Sequence, residues 1–170
     1  LVTRTLAAFE HVDFTIRSLF GGSTPAGVES AVIKNADGII GLELFGSTDT
    51  SSNSYLSGIL LTDDTAVDIY YPHVVSGVSW WTGISAYNPA DTLTTLDITT
   101  FDQGGNILGV TNLGLEGHEK FIGTAESLGF PGEAAWFSIH ADAPVTGFEL
   151  FGTNNGNQLG GYAGVGIQKT

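Results

Sequence analysis

Apolar and polar residues along this chain alternate over short runs, and no window sustains the i, i+3, i+4, i+7 apolar face of an amphipathic helix. Thr94–Phe101 and Val67–Tyr71 are rich in β-branched and aromatic residues and partly alternate in polarity, the pattern of half-buried strands. Turn formers punctuate the sequence at Asn53, at Asn88-Pro89, at Gly104-Gly105 and at Asn154-Asn155-Gly156. Phe101 to Leu108, with Asp102, Gly104, Gly105 and Asn106 at its centre, therefore predicts a hairpin. Many short strands, 24 glycines and almost no helix signal predict an all-β fold. The expected form is an antiparallel β-sandwich of immunoglobulin-like or Greek-key type with about 100 residues per unit, a closed barrel being the alternative.

The chain also matches itself. Gly41-Leu42-Glu43-Leu44-Phe45-Gly46 returns at a spacing of 106 as Gly147-Phe148-Glu149-Leu150-Phe151-Gly152, and Leu56–Ile59 meets Tyr162–Val165 in the same register. At a spacing of 107, Leu6, His11 and Phe14 align with Leu113, His118 and Phe121, and Ile33 meets Ile139 once one residue is dropped. The stretch from Tyr70 to about Asn112 occurs once. This organisation predicts a partial repeat unit over residues 1–65 and a complete sandwich unit over 66–170, although a permuted cut near Asn112 fits as well. Within the duplicated motif, Leu42 and Leu44 alternate with Glu43 and Phe45, so one pair faces the core and the other faces away; if the leucines point in, Glu43 and Phe45 share the opposite face.

Trp80-Trp81-Thr82-Gly83-Ile84, Asn88-Pro89, the run Asp102–Leu108 and the motif Gly147–Gly152 together resemble tandem β-sandwich repeats of secreted and surface-exposed bacterial proteins. The resemblance spans most of the chain, but the first copy lacks the Trp-Trp half. It implies a sandwich architecture and a place outside the cell, and it brings no established activity.

Composition narrows the function further. An apolar content of 42% in 170 residues suffices for a buried core. No apolar run approaches the roughly 20 residues that span a bilayer as a helix, so membrane insertion is not expected. A net charge of −13 disfavours nucleic acid and anionic lipid. The absence of Cys excludes disulfides and thiolate chemistry, and the absence of Met with few Lys suits an exposed, oxidising setting. The start Leu1-Val2-Thr3-Arg4 suggests a processed piece of a longer precursor. An extracellular or cell-surface location is expected.

Candidate chemistry is sparse. His11, near Glu10 and Asp13, and His118, near Glu116 and Glu119, hold aligned positions, but a metal centre needs more ligands converging, and neither copy has a paired-histidine spacing. No resident cofactor is expected. Asp63-Asp64 and the acidic turn at Asp102 could hold Ca2+, which would make this a calcium-dependent surface protein, yet no D-x-[DN]-x-[DN]-G loop is present. Ser57 and Ser127 lie in no G-x-S-x-G elbow, and no enzymatic constellation stands out.

Trp80, Trp81, Tyr87 and Trp136 are the candidate ligand-binding residues, since aromatic faces stack on sugar rings while nearby Asp and Asn meet the hydroxyls. Trp80 and Trp81 are adjacent, so in a strand they face opposite sides. The leading expectation is a non-catalytic structural or adhesive module of an extracellular array, and a carbohydrate-binding module is the alternative. Its partners would be neighbouring repeat units, copies of itself in a filament, or polysaccharide. A unit missing strands leaves open edges, so the N-terminal part is expected either to pack on the complete unit or to be completed by another molecule.

Overall fold

The computed structural model describes residues 2–28, 30–46, 56–153 and 163–166. The chain forms two compact units, Leu1–Asp37 and Gly38–Thr170. The turn signals at Asn53 and at Asn154-Asn155-Gly156 lie outside the described residues.

The first unit holds one short helix, α1 (Ile16–Leu19). Thr15 caps it: its Oγ1 accepts from the Ser18 amide at 3.1 Å, and the Ser18 hydroxyl accepts from the Thr15 amide at 3.1 Å. The rest of this unit lies outside strands and its side chains are mostly exposed.

The second unit is almost entirely antiparallel β-structure. Its strands are β1 (Leu42–Gly46), β2 (Leu56–Leu60), β3 (Ala66–Tyr71), β4 (Trp80–Tyr87), β5 (Thr94–Phe101), β6 (Ile107–Leu115), β7 (Lys120–Thr124), β8 (Trp136–Thr153) and β9 (Ala163–Gly166). β1 and β2 form a two-stranded sheet, and the other seven join through β8. The strands expected at Val67–Tyr71 and Thr94–Phe101 are present, and so is the hairpin between β5 and β6.

β8 is 18 residues long, beyond the usual 3–10, and it changes neighbours along its length. Its first half, up to Ala141, runs between β5 and β3; its second half, from Thr146, runs between β4 and β9. Pro144 sits at the changeover, where a residue without an amide proton removes no ladder bond. The neighbouring Ala143 amide donates instead to Thr94 Oγ1 at 3.1 Å. The result is a sheet curled into a half-barrel.

Odd-numbered residues of β8 point into the curl. Phe137, Ile139, Ala141 and Val145 are buried there with Ile69 and Tyr71 of β3, Ile84 and Ala86 of β4, and Leu96 and Ile98 of β5. Tyr71 stacks on Phe137 with centroids 4.9 Å apart, and Phe130 meets Phe137 edge-on at 5.3 Å. Glu149 falls on the same inward set, because its register partner is the buried Ile84. In the Gly147–Gly152 motif the Glu and second Phe therefore face the core and the Leu faces away, the reverse of the arrangement with leucines inward.

Two turns show how local chemistry fixes the ends of these strands. Between β5 and β6, Asp102 Oδ1 accepts from the Gly104 and Asn106 amides, both at 2.8 Å, and Asn106 Nδ2 donates to Oδ2 at 2.8 Å. The Asn106 side chain and then the turn amides hold the Asp102 carboxyl below its ordinary range. Gly105 follows at φ 82°, a conformation that favours glycine.

At the end of β4, Asn88 is fully buried and fully satisfied. Its Nδ2 donates to the carbonyls of Thr92 (2.7 Å), Leu115 (3.1 Å) and Glu116 (3.0 Å), and its Oδ1 accepts from Ala90 (3.0 Å). One side chain thus pins the β4–β5 connection to the end of β6. Asn88→Ala would strip partners from several main-chain groups at once, each costing about 1 kcal/mol or more. Urea unfolding of Asn88→Ala should show a loss of about 3–5 kcal/mol, and a loss below about 1 kcal/mol would show that water replaces the clamp.

Candidate functional site

Of the four aromatic residues proposed from sequence, Trp80, Trp81 and Tyr87 lie on β4 and Trp136 begins β8. Trp80 and Tyr87 are the first and last residues of β4, so seven steps of about 3.3 Å put their backbones roughly 23 Å apart. Thr82, Ile84 and Ala86 point inward, which places half-buried Trp81 on the outer face with Tyr87; the Trp81 ring lies where a side chain on Gly83 would begin, 3.0 Å from the Cβ position. Trp136, on the other half of β8, stacks flat on Phe101 with centroids 3.8 Å apart and an interplanar angle of 5°. Tyr87 is engaged in a loop contact, its hydroxyl 3.4 Å from His118 Nδ1.

Two of the four histidines each face a single carboxylate. His118 Nε2 lies 2.8 Å from Asp91 Oδ1, and His140 Nδ1 lies 2.7 Å from Asp68 Oδ1 across the β3–β8 ladder. The hydrogen bond that Asp68 accepts, then its charge, raises the His140 pKa above the ordinary value. Among the described residues no three His, Asp or Glu side chains are gathered as a metal centre would need. Of the acidic turns considered for Ca2+, Asp102 has its carboxylate committed to the hairpin, and Asp64 Oδ2 accepts from Thr62 Oγ1 at 3.0 Å. Ser127 closes a turn with Thr124: its hydroxyl donates to the Thr124 carbonyl and accepts from the Thr124 amide, both at 2.8 Å.

His118 has a left-handed φ of 62°, and the residue with the same role in the first unit is Phe9, at φ 63°. Glu10 closes a turn on the Ala7 amide at 2.7 Å as Glu119 does on the Glu116 amide at 2.7 Å. Thr15 and Ser18 exchange the same three hydrogen bonds as Thr124 and Ser127. These likenesses of local geometry run at a spacing of 109, whereas the residue matches that pair His11 with His118 run at 107. Matching His with His and Phe with Phe follows residue identity, whereas the turn geometry follows the backbone, and His11 is simply exposed. From Pro25, whose carbonyl accepts from Val28 as that of Pro131 accepts from Ala134, the spacing becomes 106.

The β1–β2 hairpin continues at 106. Leu42, Glu43, Leu44 and Phe45 pair with Leu60, Ile59, Gly58 and Ser57, and Phe148, Glu149, Leu150 and Phe151 pair with Gly166, Val165, Gly164 and Ala163. The surroundings differ. β8 has β4 on its other edge, whereas β2 is the sole ladder partner of β1 among the described residues. Leu42, Leu44, Leu56 and Leu60 share one face of the hairpin, each more than half exposed.

The buried Glu149 is the other unusual feature, and sequence reasoning did not single it out. It is fully buried, and neither of its carboxylate oxygens nor the Tyr71 hydroxyl, all three buried, finds a hydrogen-bond partner among the described residues. Burial lifts the Glu149 pKa from 4.5 to about 8, and burial followed by the charge of Glu149 lifts that of Tyr71. The sequence holds only a faint signal for this: Glu149 alternates with residues that a strand turns outward, which becomes meaningful once β4 fixes the register.

Comparison with protein families, with curated proteins and with solved structures finds no match for this chain.

Glu149 makes stability depend on pH in a defined direction. Below about pH 4.5 the carboxyl is neutral in both folded and unfolded chains, and the full stability is present. As pH rises from there to about 8 the unfolded chain ionises while the folded one retains its proton, so stability falls by an amount of order 5 kcal/mol in total. Thermal unfolding of Glu149→Gln should lose this fall and exceed the parent at pH 8, whereas parallel pH profiles for the two proteins would refute a neutral buried Glu149.

Proposed function

We propose that this chain is a non-catalytic structural or adhesive module of an extracellular repeat array, in which β-sandwich-like units meet through strand edges and apolar faces. The observation that carries the proposal is the hairpin β1–β2, which repeats the register of β8–β9 but leaves Leu42, Leu44, Leu56 and Leu60 uncovered. A contiguous apolar face of this kind is what a neighbouring unit or a second copy would cover.

Other features support the same reading. The acidic, Cys-free and Met-free composition suits a surface outside the cell. The equal hydrogen-bond sets at Thr15–Ser18 and Thr124–Ser127 support residues 1–65 as a partial unit beside the complete unit of 66–170. A carbohydrate-binding role is the weaker reading, because Trp80, Trp81, Tyr87 and Trp136 are spread over both halves of the curled sheet. A calcium-dependent role has the acidic turns as its support, with the Asp102 carboxylate already used.

Light scattering on the purified chain should reveal concentration-dependent association, and electron microscopy should show whether it propagates. Leu44→Glu with Leu60→Glu places two charges on the apolar face and should reduce the chain to a folded monomer. A parent protein that stays monomeric at all concentrations, or association unchanged in the double variant, would contradict the role given to this face.

A further inference from the structure

We propose that the edge of β1 away from β2, which has no ladder partner among the described residues, is an acceptor for one strand of the β4 type, supplied by a partner in which such a segment is not already built into a sheet. The inference rests on reading residues 38–60 as part of a repeat unit, and it names the partner of that unit.

The register of the complete unit defines the donor. β4 lies along β8 with Ala86 opposite Gly147, Ile84 opposite Glu149 and Thr82 opposite Phe151. Carried across at the spacing of 106, a donor would place an alanine-like residue opposite Gly41, an isoleucine-like residue opposite Glu43 and a threonine-like residue opposite Phe45. β1 keeps the Glu and Phe of this inward set, and Glu43 is exposed, whereas Glu149 is buried under the strands around it.

Gly41 gives an independent sign. A Cβ on Gly147 would lie 2.2 Å from the Ser85 carbonyl oxygen and 3.2 Å from the Ala86 Cα, so β4 can approach β8 only because that residue is glycine. At Gly41 the three atoms nearest to such a Cβ all belong to the Leu61 side chain, the terminal Cδ1 at 2.5 Å, and none is strand backbone. At the position that matches Gly147, Gly41 thus has a flexible side chain against it where Gly147 has the backbone of β4.

The other edge of the hairpin is not equivalent, since β2 lies beside β9. Two further segments fit the same account. Residues 11–15 correspond to β7 at the spacing of 109, and residues 30–37 correspond to the first half of β8 at 106, yet neither is a strand. Their counterparts are strands through their ladders with β4, β5 and β3.

The source of the donor follows from topology. In this chain β4 is hydrogen-bonded along both edges, to β7 and to β8, so a second copy would have to dismantle its own sheet to donate it. A separate segment with the Trp-Trp-Thr-Gly-Ile-Ser-Ala-Tyr pattern and free edges pays no such cost.

The probe is a capped synthetic peptide with the sequence of residues 79–88, titrated into the full chain by fluorescence anisotropy beside a scrambled peptide, with hydrogen exchange read on the complex. Saturable one-to-one binding is expected, with amide protection gained over residues 41–45 and unchanged over 147–151. Gly41→Ala should weaken that binding at least roughly tenfold while the circular dichroism spectrum, and any self-association through the leucine face, stay as in the parent. No binding, binding equal to the scrambled peptide, or binding indifferent to Gly41→Ala would overturn the proposal and leave the array reading standing. Protection gained over 147–151 instead would assign the peptide to exchange with β4 and overturn it too. Self-association abolished by Gly41→Ala would make a swapped second copy the donor, which also contradicts a separate one.

Discussion

Hydrogen bonding along both edges of β8 is the constraint on which the rest of the second unit depends. A strand of 18 residues in the middle of a sheet must have its amides and carbonyls met on both sides, and no single pair of neighbours here is long enough to do it. β3 and β5 serve the first half, β9 and β4 the second, and the handover falls at Pro144. The inward odd-numbered residues of that one strand then form the floor of the core, from Phe137 to Glu149. Curl, core and the burial of Glu149 all follow from one strand belonging to two sets of neighbours.

The same constraint explains why similar sequence adopts different structure in the two parts of the chain. Features whose partners lie a few residues away recur: the turn closed by Glu10 or Glu119, the cap shared by Thr15 and Ser18 or Thr124 and Ser127, and the hairpin register of β1–β2 or β8–β9. Features whose partners lie far along the chain do not. Ile139 is 1% exposed in β8, and Ile33, at the matching position, is 52% exposed outside any strand. β-propensity in these residues is realised only beside another strand.

This division also marks what could be read in the sequence. The strands at Val67–Tyr71 and Thr94–Phe101 and the hairpin after Phe101 were legible because alternation and turn residues are local signals. So was the importance of Asn88-Pro89, although not that the Asn88 side chain reaches 28 residues along the chain to the Glu116 carbonyl. The inward turn of Glu149 was illegible, since the isolated pattern Phe148-Glu149-Leu150-Phe151 favours apolar Phe148 and Leu150 inside and only pairing with Ile84 decides otherwise. The aromatic residues had the right chemistry for a sugar platform, but their placement on β4 and on the far half of β8 is set by long-range pairing that composition does not carry.

The central claim is that strand formation over residues 30–37 waits on ladder partners of the kind that β8 possesses. Native-state hydrogen exchange, resolved by residue, tests it most directly. The account predicts that amides of Phe137, Ile139 and Leu150 exchange only through global unfolding, while those of Ala31, Ile33 and Asn35 exchange at nearly the rate of an unstructured peptide. Comparable protection in the two segments would contradict it, because a strand would then exist at residues 30–37 without the neighbours that β8 requires.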